Sequence, residues 1–99
     1  MNPKVSFTPA AQSEVVEAFD WYEAHAAGLG AAFLNEVERQ VARLAENPLQ
    51  FPALLQDVRR ARLRRFPYSL FFRMLENGQV FVIACFHASR DPRKWEHRS

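Results

Sequence analysis

An Asn77-Gly78 dipeptide lies between two apolar runs, and it constrains the fold of this chain more than any other feature. Asn-Gly is the strongest short signal for a two-residue hairpin turn, because both positions accept the positive φ angles that this turn requires. The flanking runs, residues 68–75 and 80–86, are rich in Val, Phe, Ile and Leu, which favour strands. A tight turn predicts an antiparallel hairpin with one almost entirely apolar face. The predicted pairs on that face are Tyr68 with His87, Leu70 with Cys85, Phe72 with Ile83 and Met74 with Phe81.

A third strand, from Val58 to Phe66, is predicted to extend this hairpin through a short turn at Phe66-Pro67. We prefer the register that buries Leu63, in which Leu63 pairs with Leu70 and Ala61 pairs with Phe72. A slip of one residue would exchange the two faces of the strand. The preferred register predicts that four arginines share the opposite, open face of the sheet: Arg60, Arg62, Arg64 and Arg73.

The first half of the chain has a helical pattern. Val5-Ser6-Phe7 is a short alternating segment, and Thr8-Pro9 supplies a capping hydroxyl followed by proline at the first helical position. Glycines 28 and 30 are predicted to break the first helix, and Asn47-Pro48 to end a second one. The apolar positions that predict two amphipathic helices in a hairpin are Val15, Phe19, Tyr22 and Ala26 in the first, and Phe33, Leu34, Val37, Val41, Leu44 and Ala45 in the second.

The remaining segments complete a single α+β domain over residues 1–99. Residues 47–57 are predicted to form a connecting loop that contributes core residues, namely Phe51, Leu54 and Leu55. Near the end of the chain, Asp91 can cap and Pro92 can begin a short terminal helix, which Trp95 anchors to the body. The predicted architecture is a strand, an antiparallel helical hairpin, a three-strand antiparallel meander and a short C-terminal helix, with the helices on one face of the sheet.

Several function classes are excluded by composition. The chain has one cysteine, Cys85, inside an apolar run, so an internal disulfide is impossible and a buried inert thiol is expected. No metal-ligand spacing, Gly-rich phosphate loop or Ser-His-Asp pattern is present, so we expect neither a metal nor a cofactor. No run approaches the ~18 apolar residues of a membrane span, and no apolar signal segment begins the chain. We therefore expect a cytoplasmic protein.

The charge is divided between the two halves of the chain. Residues 1–57 carry three basic and eight acidic side chains, a net of −5, whereas residues 58–99 carry ten basic and three acidic ones, a net of +7. Five arginines lie between Arg59 and Arg65. The guanidinium group binds carboxylate and phosphate groups in a bidentate geometry that lysine lacks. We therefore predict a recognition surface for a nucleic acid or an acidic protein segment. The alternative is a solvated strand whose charge protects a sheet edge.

A second group of residues has the types needed for acid-base chemistry. Tyr68 and His87, beside the guanidinium groups of Arg62 and Arg73, could support attack of an RNA 2′-hydroxyl on its phosphate. The alternative, which we favour, is that His87 ends a strand and Tyr68 packs beneath it, because no second base is evident. His25 is predicted to lie on the surface of the helical hairpin.

Two motifs and the order of elements carry a resemblance to a known family. The motifs are Arg65-Phe66-Pro67-Tyr68 and a late His87-x-x-Arg90-Asp91-Pro92-x-x-Trp95. Together with the predicted elements, they resemble the RelE/ParE toxin superfamily over nearly the whole chain, and the ParE-like branch in particular. That branch comprises toxins of plasmid-stabilisation and chromosomal type II toxin–antitoxin modules.

The resemblance implies a toxin that is held inactive by a cognate antitoxin, whose acidic C-terminal segment folds on binding and can bridge the helices and the sheet edge. ParE-like members inhibit DNA gyrase, whereas RelE-like members cleave messenger RNA on the ribosome. The lysine-rich strand typical of the RelE branch is missing, so we expect a non-enzymatic gyrase inhibitor. An endoribonuclease using His87, Tyr68, Arg62 and Arg73 stays open, as does a non-toxic interaction module. The residues expected to bind target or antitoxin are Arg60, Arg62, Arg64, Arg73 and Arg90.

Overall fold

The computed structural model describes residues 4–89, which form a five-stranded sheet with two helices packed on one face. The strand order is β1-β5-β4-β3-β2, with β1 parallel to β5 and the other neighbours antiparallel. The predicted α+β class, helical hairpin and meander are confirmed, and β2 is an additional strand. The elements are β1 (Val5–Phe7), α1 (Pro9–His25), α2 (Leu29–Glu46), a 3₁₀ turn (Pro48–Gln50), β2 (Ala53–Leu55), β3 (Val58–Arg62), β4 (Tyr68–Met74) and β5 (Val80–His87).

The start of α1 and the close crossing of the two helices follow from local sequence. The Thr8 hydroxyl accepts a hydrogen bond from the Ala11 N–H at 3.2 Å, as its capping role predicts. Gly28 has a φ of 87°, which favours glycine, and it precedes α2. Gly30 lies inside α2, where a Cβ atom would come within 2.9 Å of the Phe19 ring. The helical hairpin therefore requires the two glycines for different reasons, one for its turn and one for its packing.

The hairpin of β4 and β5 contains an irregularity that the sequence did not predict. The predicted pairs hold from Tyr68 with His87 to Phe71 with Ala84, but beyond a bulge Phe72 pairs with Val82 instead of Ile83. The extra residue exchanges the faces of the first part of β5. Val80 and Val82 consequently join the core beneath the helices, whereas Ile83 packs with Phe71 and Phe86 in a second cluster.

The predicted register of β3 differs from the observed one by two residues. Ala61 pairs with Leu70 rather than with Phe72, and the strand ends at Arg62 rather than at Phe66. Leu63 lies just beyond the strand, where its N–H donates to the Tyr68 carbonyl at 2.9 Å, and its side chain is buried as predicted. An even-numbered shift keeps each side chain on its predicted face, so Arg60 and Arg62 still face away from the helices.

Residues 47–57 contain more regular structure than a loop, because β2 pairs with β3. Phe51 is buried as predicted, but Leu54 and Leu55 are exposed, so their assignment to the core was wrong. The second helix buries two polar residues that the apolar pattern did not identify, Glu36 and Gln40. The Gln40 side-chain amide donates to the Arg62 carbonyl, which is free at the point where β3 ends.

The N-terminal helices also depart from the predicted pattern in part. Val15 and Tyr22 are buried as predicted, but Phe19 is half-buried and Ala26 is exposed after the end of α1. Within residues 4–89, neither helix has the length and apolarity required to cross a bilayer. The predicted terminal helix and its residues Asp91, Pro92 and Trp95 lie outside the described residues.

Candidate functional site

Two arginines of β3 lie on the face of the sheet opposite the helices. Arg60 pairs with Phe71 and Arg62 pairs with Ser69, and both pairs border a shallow depression of about 100 Å³ that also includes Phe86. Arg62 is exposed and Arg60 is half-buried. We call Arg60, Arg62 and Arg73 with the intervening Ser69 and Phe71 the arginine face. It combines guanidinium groups with a small apolar floor, which suits a polyanionic or acidic ligand.

The other predicted arginines are placed less favourably. Arg73 lies on the arginine face, but its Nη2 and Nε atoms bind Asp57 Oδ2 at 3.0 and 3.1 Å. The hydrogen bond from Arg73 lowers the pKa of the Asp57 carboxyl, which therefore stays charged and neutralises this guanidinium. Arg64 is exposed in the turn after β3 rather than on the strand. Arg90 lies outside the described residues.

Tyr68 lies on the helix side of the sheet, whereas His87, exposed at the end of β5, also borders the depression beside Arg60 and Arg62. Tyr68 and His87 form a cross-strand pair at the end of the sheet, with ring centroids 5.1 Å apart, and Tyr68 packs against Tyr22 and Phe33 beneath the helices. His87 Nδ1 lies 2.9 Å from the Ser89 hydroxyl and accepts the Ser89 N–H at 3.0 Å. Three of the four predicted catalytic residues, Tyr68, His87 and Arg62, therefore lie near one end of the sheet, but Tyr68 is packed beneath the helices and Arg73 is bound to Asp57.

A cleft of about 590 Å³ lies between α1 and this end of the sheet. We call it the acidic cleft, because two carboxylates from α1 line it. Glu14 Oε1 accepts the Cys85 N–H at 2.9 Å, where β5 continues beyond the end of β1, and Glu17 is exposed. The principal lining side chains are Glu14, Glu17, Trp21, Tyr68 and His87.

Ionisable groups beneath this cleft are held in their neutral forms. Burial raises the pKa of the Cys85 thiol to about 12, with a further contribution from the Glu14 charge, which confirms the predicted inert thiol. Burial also raises the pKa of Tyr68, and the charge of Glu17 adds to that effect. A tyrosine whose pKa lies above 10 is a poor general base near neutral pH. The chemistry of this cleft therefore favours binding over proton abstraction.

The comparisons with known proteins agree with this architecture. The model of the family described as "ParE toxin of type II toxin-antitoxin system, parDE" matches residues 5–92. The chain belongs to the ParE toxin family. No curated protein matches it significantly in sequence.

Two solved structures share the fold of this ParE family member. A structure described as the chromosomal ParDE toxin–antitoxin system from P. aeruginosa has a TM-score of 0.74 and 19% identity, covering 86% of this chain and 95% of that one. A mutant of the E. coli toxin RelE, in complex with a peptide of the antitoxin RelBc, has a TM-score of 0.66 and 19% identity, covering 100% and 97%. The fold is therefore common to ParE and RelE structures.

Sequence reasoning identified the arginines but missed the acidic cleft. Glu14, Glu17 and Trp21 were not identified as candidate site residues. The signal that was available is Trp21, a large aromatic side chain on the polar side of the helix, and it is 55% exposed. An exposed tryptophan beside carboxylates is a more specific indication of a binding site than either feature alone.

Proposed function

We propose that this ParE-family chain is a toxin that acts in the cytoplasm by binding DNA gyrase through its arginine face. The observation that carries the proposal is the packing of Tyr68 against Tyr22 and Phe33 beneath the helices, since an endoribonuclease needs an acid-base pair that is free beside its phosphate-binding groups. The Tyr68–His87 pair lines a cleft with two carboxylates, which repel RNA phosphates, and His87 alone of the pair also borders the depression beside Arg60 and Arg62. Membership of the ParE family supports the same choice.

The test is a gyrase supercoiling assay with the purified full-length protein. We expect inhibition by the unchanged protein and at least a ~10-fold loss of potency in Arg60→Gln/Arg62→Gln, because charge-assisted hydrogen bonds contribute ~1.5–3 kcal/mol each. The variant Lys4→Gln removes a positive charge from an exposed position elsewhere and should inhibit normally. Unchanged supercoiling and unchanged gyrase-dependent DNA cleavage would contradict the proposal.

The enzymatic alternative has its own variants. Tyr68→Phe and His87→Ala should leave growth arrest intact if the protein binds gyrase. Ribosome-dependent cleavage of messenger RNA that both variants abolish, with circular dichroism unchanged, would establish the endoribonuclease instead. Absence of growth arrest on expression would favour the non-toxic interaction module.

We also propose that a cognate antitoxin neutralises the toxin by laying the apolar side chains of its acidic C-terminal segment into a second cleft. This cleft, about 450 Å³, lies between β1 and the helical hairpin, and it is lined mainly by apolar residues: Val5, Phe7, Val15, Val16, Leu34 and Val37. Val16 is 52% exposed. Because β1 ends the strand order, an incoming segment can also pair with its backbone. The antitoxin peptide in the RelE complex supports a partner of this kind.

The antitoxin is expected in a neighbouring short reading frame with an acidic tail. Val16→Asp should weaken its binding by about tenfold or more, since a carboxylate would be placed on an apolar contact. Ala24→Asp adds the same charge to an exposed position of α1 outside the cleft and should bind normally. Equal binding of both variants, measured by calorimetry, would exclude this cleft.

A further inference from the structure

We propose that the acidic cleft is a second binding site, which takes the arginine side chain of a basic segment in a partner protein. The proposal goes beyond gyrase inhibition through the arginine face and does not depend on it, because Glu14, Glu17 and Trp21 line this cleft and none of them borders the depression beside Arg60 and Arg62. The walls of the cleft, its charge and its size each support this ligand.

The walls are aromatic and come from both sides of the cleft. On the helix side, Trp21 is more than half exposed, and its ring stacks on His25 with centroids 3.8 Å apart. The His25 Nδ1 atom lies 2.8 Å from the Trp21 carbonyl, so the stacked pair is fixed to its own helix. On the sheet side, Tyr68 and His87 present an edge-to-face pair. Aromatic faces attract guanidinium groups, most strongly when the ring is tryptophan.

The negative charge of the cleft favours a cationic ligand over a neutral or anionic one. Glu17 lies one helical turn before Trp21, so its carboxylate and the indole occupy the same side of α1. Glu17 is close enough to Tyr68 for its charge to raise the tyrosine pKa, which places a negative potential across the cleft. Phosphates and acidic peptides are disfavoured by the same potential. The cleft therefore has the charge complementary to that of the arginine face.

The size of the cleft distinguishes a protein segment from an isolated ion. A volume of about 590 Å³ is within the range of ligand pockets, and it exceeds what one guanidinium group fills. Trp21 at one side of the cleft is exposed, so a chain can lay one arginine into the cleft and continue across the surface of α1. No cluster of potential metal ligands exists among residues 4–89, so a metal ion is not the occupant that this part of the chain favours.

The experiment uses the full-length protein and the tripeptide acetyl-Gly-Arg-Gly-amide, with acetyl-Gly-citrulline-Gly-amide as the neutral match. Two-dimensional ¹H–¹⁵N NMR follows the Trp21 indole, identified as the signal lost in Trp21→Phe, and the Cys85 amide. We expect saturable shifts of both signals with the arginine peptide and none with citrulline. Equal binding of the two peptides, or shifts only on the arginine face, would overturn the proposal.

Two substitutions separate the cleft from general electrostatics. Glu17→Gln should lower the affinity for the arginine peptide roughly three- to tenfold, since it removes the charge beside the indole. Asp20→Asn removes the same charge from the same helix at an exposed position outside the cleft, and its affinity should stay within about twofold of the unchanged protein. Equal losses in the two variants would show attraction to the acidic helix as a whole, and would refute a site.

Trp21→Ala tests the aromatic wall independently of charge. The side chain is exposed enough that α1 should keep its packing, which the dispersion of the Cys85 amide signal checks. We expect a loss of roughly threefold or more, and partial recovery in Trp21→Phe, because a phenyl face attracts cations less strongly than indole. Full affinity in folded Trp21→Ala would contradict the role of the aromatic wall.

Discussion

The two faces of the sheet are built from the same strands, yet they differ in packing and charge. The face beneath the helices contains a continuous core that includes Leu70, Phe72 and Val82, and it ends in the acidic cleft. The opposite face has a smaller apolar cluster around Phe71, bordered by Arg60 and Arg62. Adjacent residues of one strand therefore serve different purposes. Stability depends chiefly on the first face, and the second has room for cationic recognition.

The comparison predicts unequal costs for two neighbouring phenylalanines. Phe72→Ala should lower the free energy of unfolding by about 4 kcal/mol, because the ring is fully buried in the larger core and packs edge-on against Phe51. Phe71→Ala should cost about 3 kcal/mol, since its cluster is smaller. Urea denaturation measures both. Equal losses would show that the arginine face is as much a core as the helix face.

Alkaline pH should lower the free energy of unfolding, because it favours ionisation of Cys85, which is buried on the helix side of the sheet. Its pKa rises from 9.0 unfolded to about 12 in the fold, so the folded state retains the proton more strongly. The resulting stabilisation is complete below pH 9 and is lost as the pH rises toward 12, by roughly 2 kcal/mol at pH 10.5. Burial raises the pKa of Tyr22 and Tyr68 with the same sign. The Cys85→Ala variant keeps both tyrosines, so a pH slope identical to that of the unchanged protein would refute the thiol contribution.

Loss of the hydrogen bond between Gln40 of α2 and Arg62 at the end of β3 should lower the free energy of unfolding by an intermediate amount. Gln40→Ala leaves the Arg62 carbonyl without its side-chain donor, at a cost of about 1–2 kcal/mol. Glu38→Ala, at an exposed position of the same helix, should be nearly neutral. Thermal unfolding compares the two. If Gln40→Ala also reduces gyrase inhibition at a temperature where it is fully folded, then the helix face positions Arg62 for recognition.

Loss of the ion pair between Asp57 and Arg73 should lower the free energy of unfolding least. Both side chains are substantially exposed, so Asp57→Asn should cost about 0.5 kcal/mol or less. Because Arg73 lowers the pKa of Asp57, the contribution is present above the unfolded pKa of 3.8 and is lost as the pH falls through the folded value. In Asp57→Asn, the free energy of unfolding should therefore fall slightly less steeply as the pH is lowered. A cost above about 2 kcal/mol would mean that the pair is structural.

The sequence predicted the elements better than it predicted their alignment. The Thr8-Pro9 cap and the glycines between the helices are local signals that are found where predicted. The hairpin turn does contain Asn77 and Gly78, but the prediction of a two-residue turn was wrong, because the Leu75 N–H donates to the Gln79 carbonyl across three residues and only Gly78 has a positive φ. The bulge near Phe72 was missed because a run of apolar residues in β5 satisfies two registers equally well. The β3 offset came from the turn at Phe66-Pro67, which is longer than we assumed.

The candidate site was predictable to the extent that it depends on strand alternation. Arg60 and Arg62 lie on the predicted face because a two-residue shift preserves alternation. Arg73 was expected to be available, but its partner Asp57 belongs to a different segment that the alternation of β4 does not describe. The acidic cleft was missed for a related reason. It joins α1 to the ends of β4 and β5, and such contacts over long sequence distances leave no periodic trace in the chain.

The parallel pairing of β1 with β5 determines when this protein becomes complete during synthesis. β1 is the first described strand and β5 the last, and the Val80 N–H donates to the Lys4 carbonyl at 2.8 Å. A nascent chain must therefore expose all of β5 before its first strand finds a partner. Until then the helices have no finished sheet to cover, and the backbone groups of β1 stay unpaired.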